Sequence, residues 1–169
     1  NTEFRDATAF AEDQSSLFIS QSGRTHAFSR QDGRKLWEAS TESDAMYFYP
    51  VIDADSVYLA RTDGVLEKRQ SDSGFVIWRS QPGQGWVYPP VQSGGRLFTG
   101  GQDGMIWQID PKAGVSIGQY ELDQELVAPM LVSNDLLIAA TFDGKLTAYR
   151  ATDDRNALLQ TVWQTDIGT

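Results

Sequence analysis

A turn recurs through this sequence at a nearly constant interval. Gly23, Gly64, Gly104 and Gly144 stand 41, 40 and 40 residues apart, each between short apolar runs. In the last three the glycine follows an aspartate, at Asp63, Asp103 and Asp143. An Asp-Gly pair between two such runs predicts a two-residue hairpin turn, because glycine adopts the positive φ of a primed turn without a Cβ clash. The third copy shows the unit most plainly. Leu97–Gly100 reads as a strand, Asp103-Gly104 turns, Met105–Ile109 returns, and the chain turns again by Gly114.

The repeat divides the chain into units at about 9–40, 49–80, 90–122 and 130–165. Each predicts four short antiparallel strands: one near a proline, two around the turn glycine, and an outer one ending at or near a tryptophan. The long fourth outer turn runs from Ala151 to Asn156, and residues 1–8 carry no clear pattern. No unit shows a helical period over ten residues or more. A period near 40 residues built from strands and turns is the mark of a β-propeller. The predicted fold is therefore all-β, a propeller of four blades within one domain or segment. An open arc of four would expose strand edges. The expectation is a segment of a larger propeller, a small closed ring of four, or a half that pairs with another copy.

Bulk properties narrow the partners. The net charge of −9 argues against binding nucleic acid through phosphates, which needs clustered Lys and Arg. It also disfavours docking on anionic lipid by charge. There is no cysteine, which excludes thiol catalysis, thiolate metal sites and disulfides. No apolar run approaches the ~20 residues of a membrane helix. Five Trp, six Tyr and eight Phe supply a core too aromatic for a disordered chain.

The outer half of each unit resembles the PQQ-type β-propeller repeat, approximately Ala-x-Asp-x-x-Thr-Gly-x-x-x-Trp. The first unit has Ala27, Ser29, Asp32-Gly33 and Trp37 in that spacing; the second keeps Ser73-Gly74 and Trp78. The third keeps Asp110 and Gly114 but has Gly118 where the Trp would stand; the fourth keeps Ala148 and Trp163 around its enlarged turn. The resemblance covers nearly the whole chain. It implies that Trp37, Trp78 and Trp163 are structural anchors in the seams between blades, with Gly64, Gly104 and Gly144 as hairpin turns. At the third seam it leaves repacking, by Trp107, as the expectation.

The residues give little support to an enzymatic reading. A quinoprotein dehydrogenase would need a vicinal Cys pair, a Ca²⁺ site and a catalytic Asp, and no stretch matches them. His26 is the single histidine, no Gly-x-Ser-x-Gly elbow accompanies it, and a strand position is the simpler reading. Asp53-Ala54-Asp55-Ser56 lacks the Gly and the distant Glu of a calcium loop. No catalytic residue, cofactor or metal is expected.

The loops between units carry the better signal. Tyr47-Phe48-Tyr49 precedes the second unit and Trp86-Val87-Tyr88 the third, with Asp44 and Asp123 in acidic clusters nearby. Such loops gather at one end of a propeller. Tyr47, Tyr49, Trp86 and Tyr88, rimmed by Asp44 and Asp123, would suit an extended peptide or an apolar protein segment with some positive charge. The alternative is that these rings pack between blades. Within the resembled family the chain is similar to the non-catalytic propeller lipoproteins of bacterial outer-membrane assembly, and more loosely to the lumenal sensor domains of unfolded-protein-response kinases. This implies an extracytoplasmic protein- or peptide-binding scaffold, in the periplasm or membrane-anchored. A ligand-sensing ectodomain and a divergent PQQ-dependent quinoprotein fragment are the alternatives. Partners are a protein or peptide and no nucleic acid, with self-association or further blades closing the arc.

Overall fold

Short alternating runs bounded by Gly, Asp and Pro fold into antiparallel ladders, one per repeat. A computed structural model describes residues 9–21, 23–42, 44–154 and 158–168. Ser22 of the first hairpin turn, Arg155 and Asn156 of the long fourth turn, and residues 1–8 lie outside these. The first sheet holds β1 (Ala9–Glu12), β2 (Ser16–Gln21), β3 (Arg24–Ser29) and β4 (Lys35–Ser40). The second holds β5 (Val51–Asp53), β6 (Ser56–Ala60), β7 (Leu66–Gln70) and β8 (Val76–Ser80). The third holds β9 (Val91–Ser93), β10 (Arg96–Gly100), β11 (Met105–Ile109) and β12 (Ser116–Glu121). The fourth holds β13 (Leu131–Ser133), β14 (Leu136–Ala140), β15 (Lys145–Ala151) and β16 (Leu159–Asp166). Strands pair in chain order within each four-stranded sheet, as in the blades of a propeller.

The register repeats with the sequence. Ala27 faces Trp37, Lys68 faces Trp78, Gln108 faces Gly118 and Ala148 faces Trp163, and a bulge follows each pair at the same step. Gly118 therefore occupies the position that tryptophan holds in the other three blades. The hairpin turns differ from the two-residue expectation. In the second blade the Arg61 N–H donates to the Val65 carbonyl (2.9 Å) and the Gly64 N–H to the Arg61 carbonyl (3.2 Å), closing a three-residue loop. The fourth blade repeats this from Thr141 to Lys145. Gly64 and Gly144 sit at the end of these loops with φ of 84° and 74°. This is a type I turn completed by a left-handed glycine, which also matches the right-handed twist of the flanking strands.

Three apolar clusters fill the seams between successive blades. Phe18, Ala27, Trp37 and Ala39 of the first blade meet Val57 and Leu59 of the second. Tyr58, Leu66 and Trp78 of the second meet Leu97 and Ile109 of the third. Phe98 and Ile106 of the third meet Leu137, Ala139, Tyr149, Leu158 and Leu159 of the fourth.

The first two seams are built the same way. The buried Trp37 ring lies against the Gly74 turn, where an added Cβ would come within 2.7 Å of it. Its indole N–H donates to the Ser71 carbonyl at 2.8 Å. Trp78 repeats both contacts one blade on, with Gly114 (2.5 Å) and with the Pro111 carbonyl (3.1 Å).

One expectation is corrected at the third seam. Trp107 does not repack the third seam. It packs toward the second one and donates its indole N–H to Asp103 Oδ2 at 2.9 Å. The third seam is filled instead by Leu158, whose Cδ1 lies 3.3 Å from where a Gly118 Cβ would stand. Trp163, at the register position of Trp37 and Trp78, is 40% exposed. It lies on the side of the last blade that would face a further blade, and no described residue covers that side. Phe10 and Leu17, on the opposite side of the first blade, are likewise exposed. Both outer faces of the four blades thus expose apolar side chains.

Candidate protein-binding end of the propeller

The segments between blades return across one end of the sheets. Each makes an isolated antiparallel bridge: Tyr47 with Arg61, Val87 with Gly101, and Leu126 with Thr141. Phe48, Tyr88 and Val127 donate their N–H groups to Ala60, Gly100 and Ala140, at 2.9, 2.9 and 3.1 Å. Leu126 N–H also reaches back to the Gly101 carbonyl of the preceding blade at 3.2 Å. These contacts hold the connecting segments and the hairpin turns together at one end.

Bridging fixes which side chains point inward. Tyr47 is 7% exposed and Tyr49 is 38% exposed; Trp86 is 43% exposed and Tyr88 is 8% exposed. Extended backbone sends successive side chains to opposite sides, so the aromatic triplets cannot present every ring outward. Tyr47 and Tyr88 are thus corrected from surface contacts to seam residues. Tyr47 belongs to the apolar cluster of Trp37 and Leu59, and Tyr88 to that of Phe98, where it meets Phe48 at a tilt of 56° with ring centres 5.4 Å apart. Burial raises the pKa of both tyrosines, helped at Tyr47 by Glu67 and at Tyr88 by Glu125. Asp44 and Asp123 are exposed at this end.

Sequence reasoning missed three apolar side chains that also stand exposed here: Met46, Val127 and Phe142. Each neighbours a bridging residue, so the same inward–outward alternation could have found them. The aspartates of the turns are occupied locally. Asp63 pairs with Arg61, Asp103 accepts from Trp107, and Asp143 accepts from Thr141 and pairs with Lys145.

Sequence reasoning also missed a charged cluster just below this end. Glu67 is fully buried in the first seam. Arg69 and Arg79 both clamp it, with Nε distances of 2.7 and 2.9 Å, and Arg61 Nη1 approaches to 3.5 Å. Arg61 also lies over the Tyr47 ring, 5.9 Å from its centre. The buried Tyr47 hydroxyl has no hydrogen-bond partner in the structure. A buried carboxylate needs such partners to offset its lost hydration.

The remaining polar candidates are structural. Asp53, from the calcium-like stretch, accepts from Lys68 Nζ (2.8 Å) and from the Tyr58 hydroxyl (2.9 Å). His26 lies on the open side of the first blade with Nδ1 3.3 Å from Glu38. Among the described residues no three His, Asp or Glu side chains are grouped to hold a metal ion. The arrangement offers apolar and aromatic contacts beside carboxylates, on a rigid floor of bridged backbone.

Fold and repeat together define the class: a β-propeller of PQQ-type repeats. The family described as "Outer membrane protein assembly factor BamB" matches residues 3–84 and 62–166, and the chain belongs to that family. The outer membrane protein assembly factor BamB of Burkholderia pseudomallei is 30% identical over 121 residues, covering 71% of this chain and 32% of the relative. The chain thus spans about a third of the length of the curated relatives it matches. The crystal structure of BamB from Moraxella catarrhalis superposes with a TM-score of 0.73 at 19% identity, over 100% of this chain and 52% of that one. The computationally designed Ika8 protein superposes with a TM-score of 0.76 at 15% identity, over 94% of this chain and 48% of that one.

Proposed function

We propose that this chain is a non-catalytic, extracytoplasmic propeller scaffold that holds an extended protein segment at its loop end, in the assembly of outer-membrane proteins. The observation that carries this reading is the shared exposure of Tyr49, Trp86, Met46, Val127 and Phe142 on one end, beside Asp44 and Asp123. Exposed aromatics on a rigid frame are the residues that dominate protein–protein binding energy. The acids favour a segment carrying Lys or Arg and speed its encounter. The membership in the BamB family supports the setting, since its relatives are outer membrane protein assembly factors by name.

The test is binding of a urea-diluted outer-membrane β-barrel protein to the immobilised chain. Trp86→Ala should weaken binding by roughly tenfold or more, a loss of about 1.4 kcal/mol or more. Asp44→Asn with Asp123→Asn should slow association and flatten its salt dependence. Binding that survives both changes unaltered would contradict the reading.

A further inference from the structure

Of the three Asp-Gly hairpin turns at the loop end, two have their aspartate neutralised by a neighbouring cation and one does not. Arg61 Nε donates to Asp63 Oδ1 at 3.0 Å, and its guanidinium pairs with the same carboxylate. Lys145 Nζ lies 2.6 Å from Asp143 Oδ2. The donors to Asp103 are neutral: the Met105 N–H at 3.1 Å and the Trp107 indole N–H at 2.9 Å. Asp103 is half-buried, and among the described residues no Lys or Arg pairs with it. The sequence accounts for the difference. Gly101 stands where the second blade has Arg61, and Met105 where the fourth has Lys145. The Trp86 carbonyl lies 1.7 Å from where a Gly101 Cβ would be, so no side chain fits there. The close approach that brings the Trp86 segment onto this turn thus also removes the cation. The unpaired carboxylate opens on a groove of about 650 Å³ between the β8–β9 connection and the third hairpin turn, lined by Gln84, Gln102, Asp103 and Trp107. Gly83 lets the connection cross at this point, since its Cβ would meet Asp103 Oδ2 at 1.9 Å. Gln102 turns its Oε1 to the same stretch, 3.2 Å from where a Gly85 Cβ would stand.

We propose that this groove is the seat for a lysine or arginine side chain of the bound segment, with Asp103 as its counter-ion. The seat belongs to the loop end and so rests on the reading that an extended segment is held there; it names the side chain of that segment that is recognised. The lining suits a cation on an alkyl stem. The Asp103 carboxylate has no cation of its own, the Gln84 and Gln102 side-chain oxygens are further acceptors, and the Trp107 ring offers a surface to the stem. A half-buried carboxylate is screened less than the exposed Asp44 and Asp123, so an incoming cation gains more from Asp103 than from either. Trp86 is tied to the same turn, with the Gln102 N–H donating to its carbonyl at 3.3 Å, so the exposed indole and the charged seat lie along one path.

The test titrates two synthetic peptides into the full chain at low ionic strength by calorimetry. Both alternate aromatic residues with threonine; one has a central arginine and the other has citrulline, its uncharged isostere, in that place. The arginine peptide should bind roughly tenfold tighter or more. Asp103→Asn keeps an acceptor for the Trp107 N–H; it should bring that ratio near one and leave the citrulline peptide unaffected. Met105→Lys rebuilds the pairing of the fourth blade and should also abolish the ratio, by occupying Asp103 from within the chain. Asp63→Asn, at an aspartate already paired, should keep the ratio. Trp86→Ala should weaken both peptides alike with the ratio intact. Peptides indifferent to Trp86→Ala would contradict the loop-end reading, while their ratio would still report on Asp103. Far-UV circular dichroism checks that each variant stays folded, and Met105→Lys decides the matter if Asp103→Asn does not fold. A wild-type ratio near one, an arginine peptide that does not bind, or a ratio that survives in the folded Asp103 or Met105 variant would each overturn the proposal.

Discussion

The second and third seams fill the same space from opposite sides. In the second, the large side chain comes from the earlier blade, Trp78, and the glycine from the later one, Gly114. In the third, the earlier blade contributes Gly118 and the later one contributes Leu158. The exchange follows from lengthening one turn: the β15–β16 connection carries Leu158 back to the seam, where the Tyr120 and Tyr149 rings meet edge-on at 5.3 Å. The difference teaches that a seam specifies a filled volume and a close backbone approach, not the blade that supplies the bulk. It also separates the two seams energetically, since a buried indole that also makes a hydrogen bond outweighs a leucine.

The largest effect should come from emptying the second seam. Trp78→Ala removes a buried indole and leaves the Pro111 carbonyl with only its longer bond from Lys68 Nζ, and should lower the unfolding free energy by ~3–5 kcal/mol in a urea titration. Leu158→Ala should cost ~2–3 kcal/mol in the same measurement, because leucine buries less apolar surface and makes no hydrogen bond. Equal losses would erase the distinction between the seams.

Restoring the repeat at the third seam is a sharper test. Gly118→Trp alone overpacks against Leu158 and should cost ~1–3 kcal/mol. Adding Leu158→Gly should recover at least ~1 kcal/mol of that loss, a coupling that two independent sites would not show.

The smallest effect is electrostatic. The second seam carries a half-buried tie: Lys68 Nζ bonds both Asp53 and the Pro111 carbonyl, the latter at 3.3 Å. The third has Arg96 on Thr152 and Asp153, with the aspartate in water. Burial alone would raise the Asp53 pKa, but hydrogen bonds led by Lys68 outweigh it and hold the carboxyl below its ordinary 3.8. A carboxyl depressed in the folded state adds stability that is complete above its unfolded pKa and is lost as pH falls through the folded value. Asp53→Asn should therefore flatten the loss of stability as pH falls below about 4, measured by urea unfolding across that range.

Much of the fold was legible because its signals are local. Turn glycines at a 40-residue spacing, short alternating runs and the absence of a helical period point to blades without any long-range information. The two tryptophans of the first seams were legible for the same reason. What escaped were matters of neighbourhood. Leu158 is an unremarked apolar residue until the third blade is beside it. Glu67 reads as solvent-facing in Leu66-Glu67-Lys68-Arg69, and the arginines that permit its burial come from positions 61, 69 and 79. At the loop end the aromatic triplets were visible in the sequence. Which ring of each points outward is set by the bridges of Tyr47 to Arg61 and Val87 to Gly101, and these pair residues fourteen apart.

The account rests on tryptophan seating on a turn glycine, and one pair of substitutions isolates that contact. Gly33 and Gly114 have nearly the same backbone, with φ of 69° and 73°, but only Gly114 carries a ring against it. Gly33→Ala should report the left-handed backbone cost alone, about 1–2 kcal/mol, when measured by urea unfolding. Gly114→Ala should exceed it by ~2 kcal/mol or more, because its Cβ must displace the Trp78 ring. Equal losses at the two glycines would contradict the central claim.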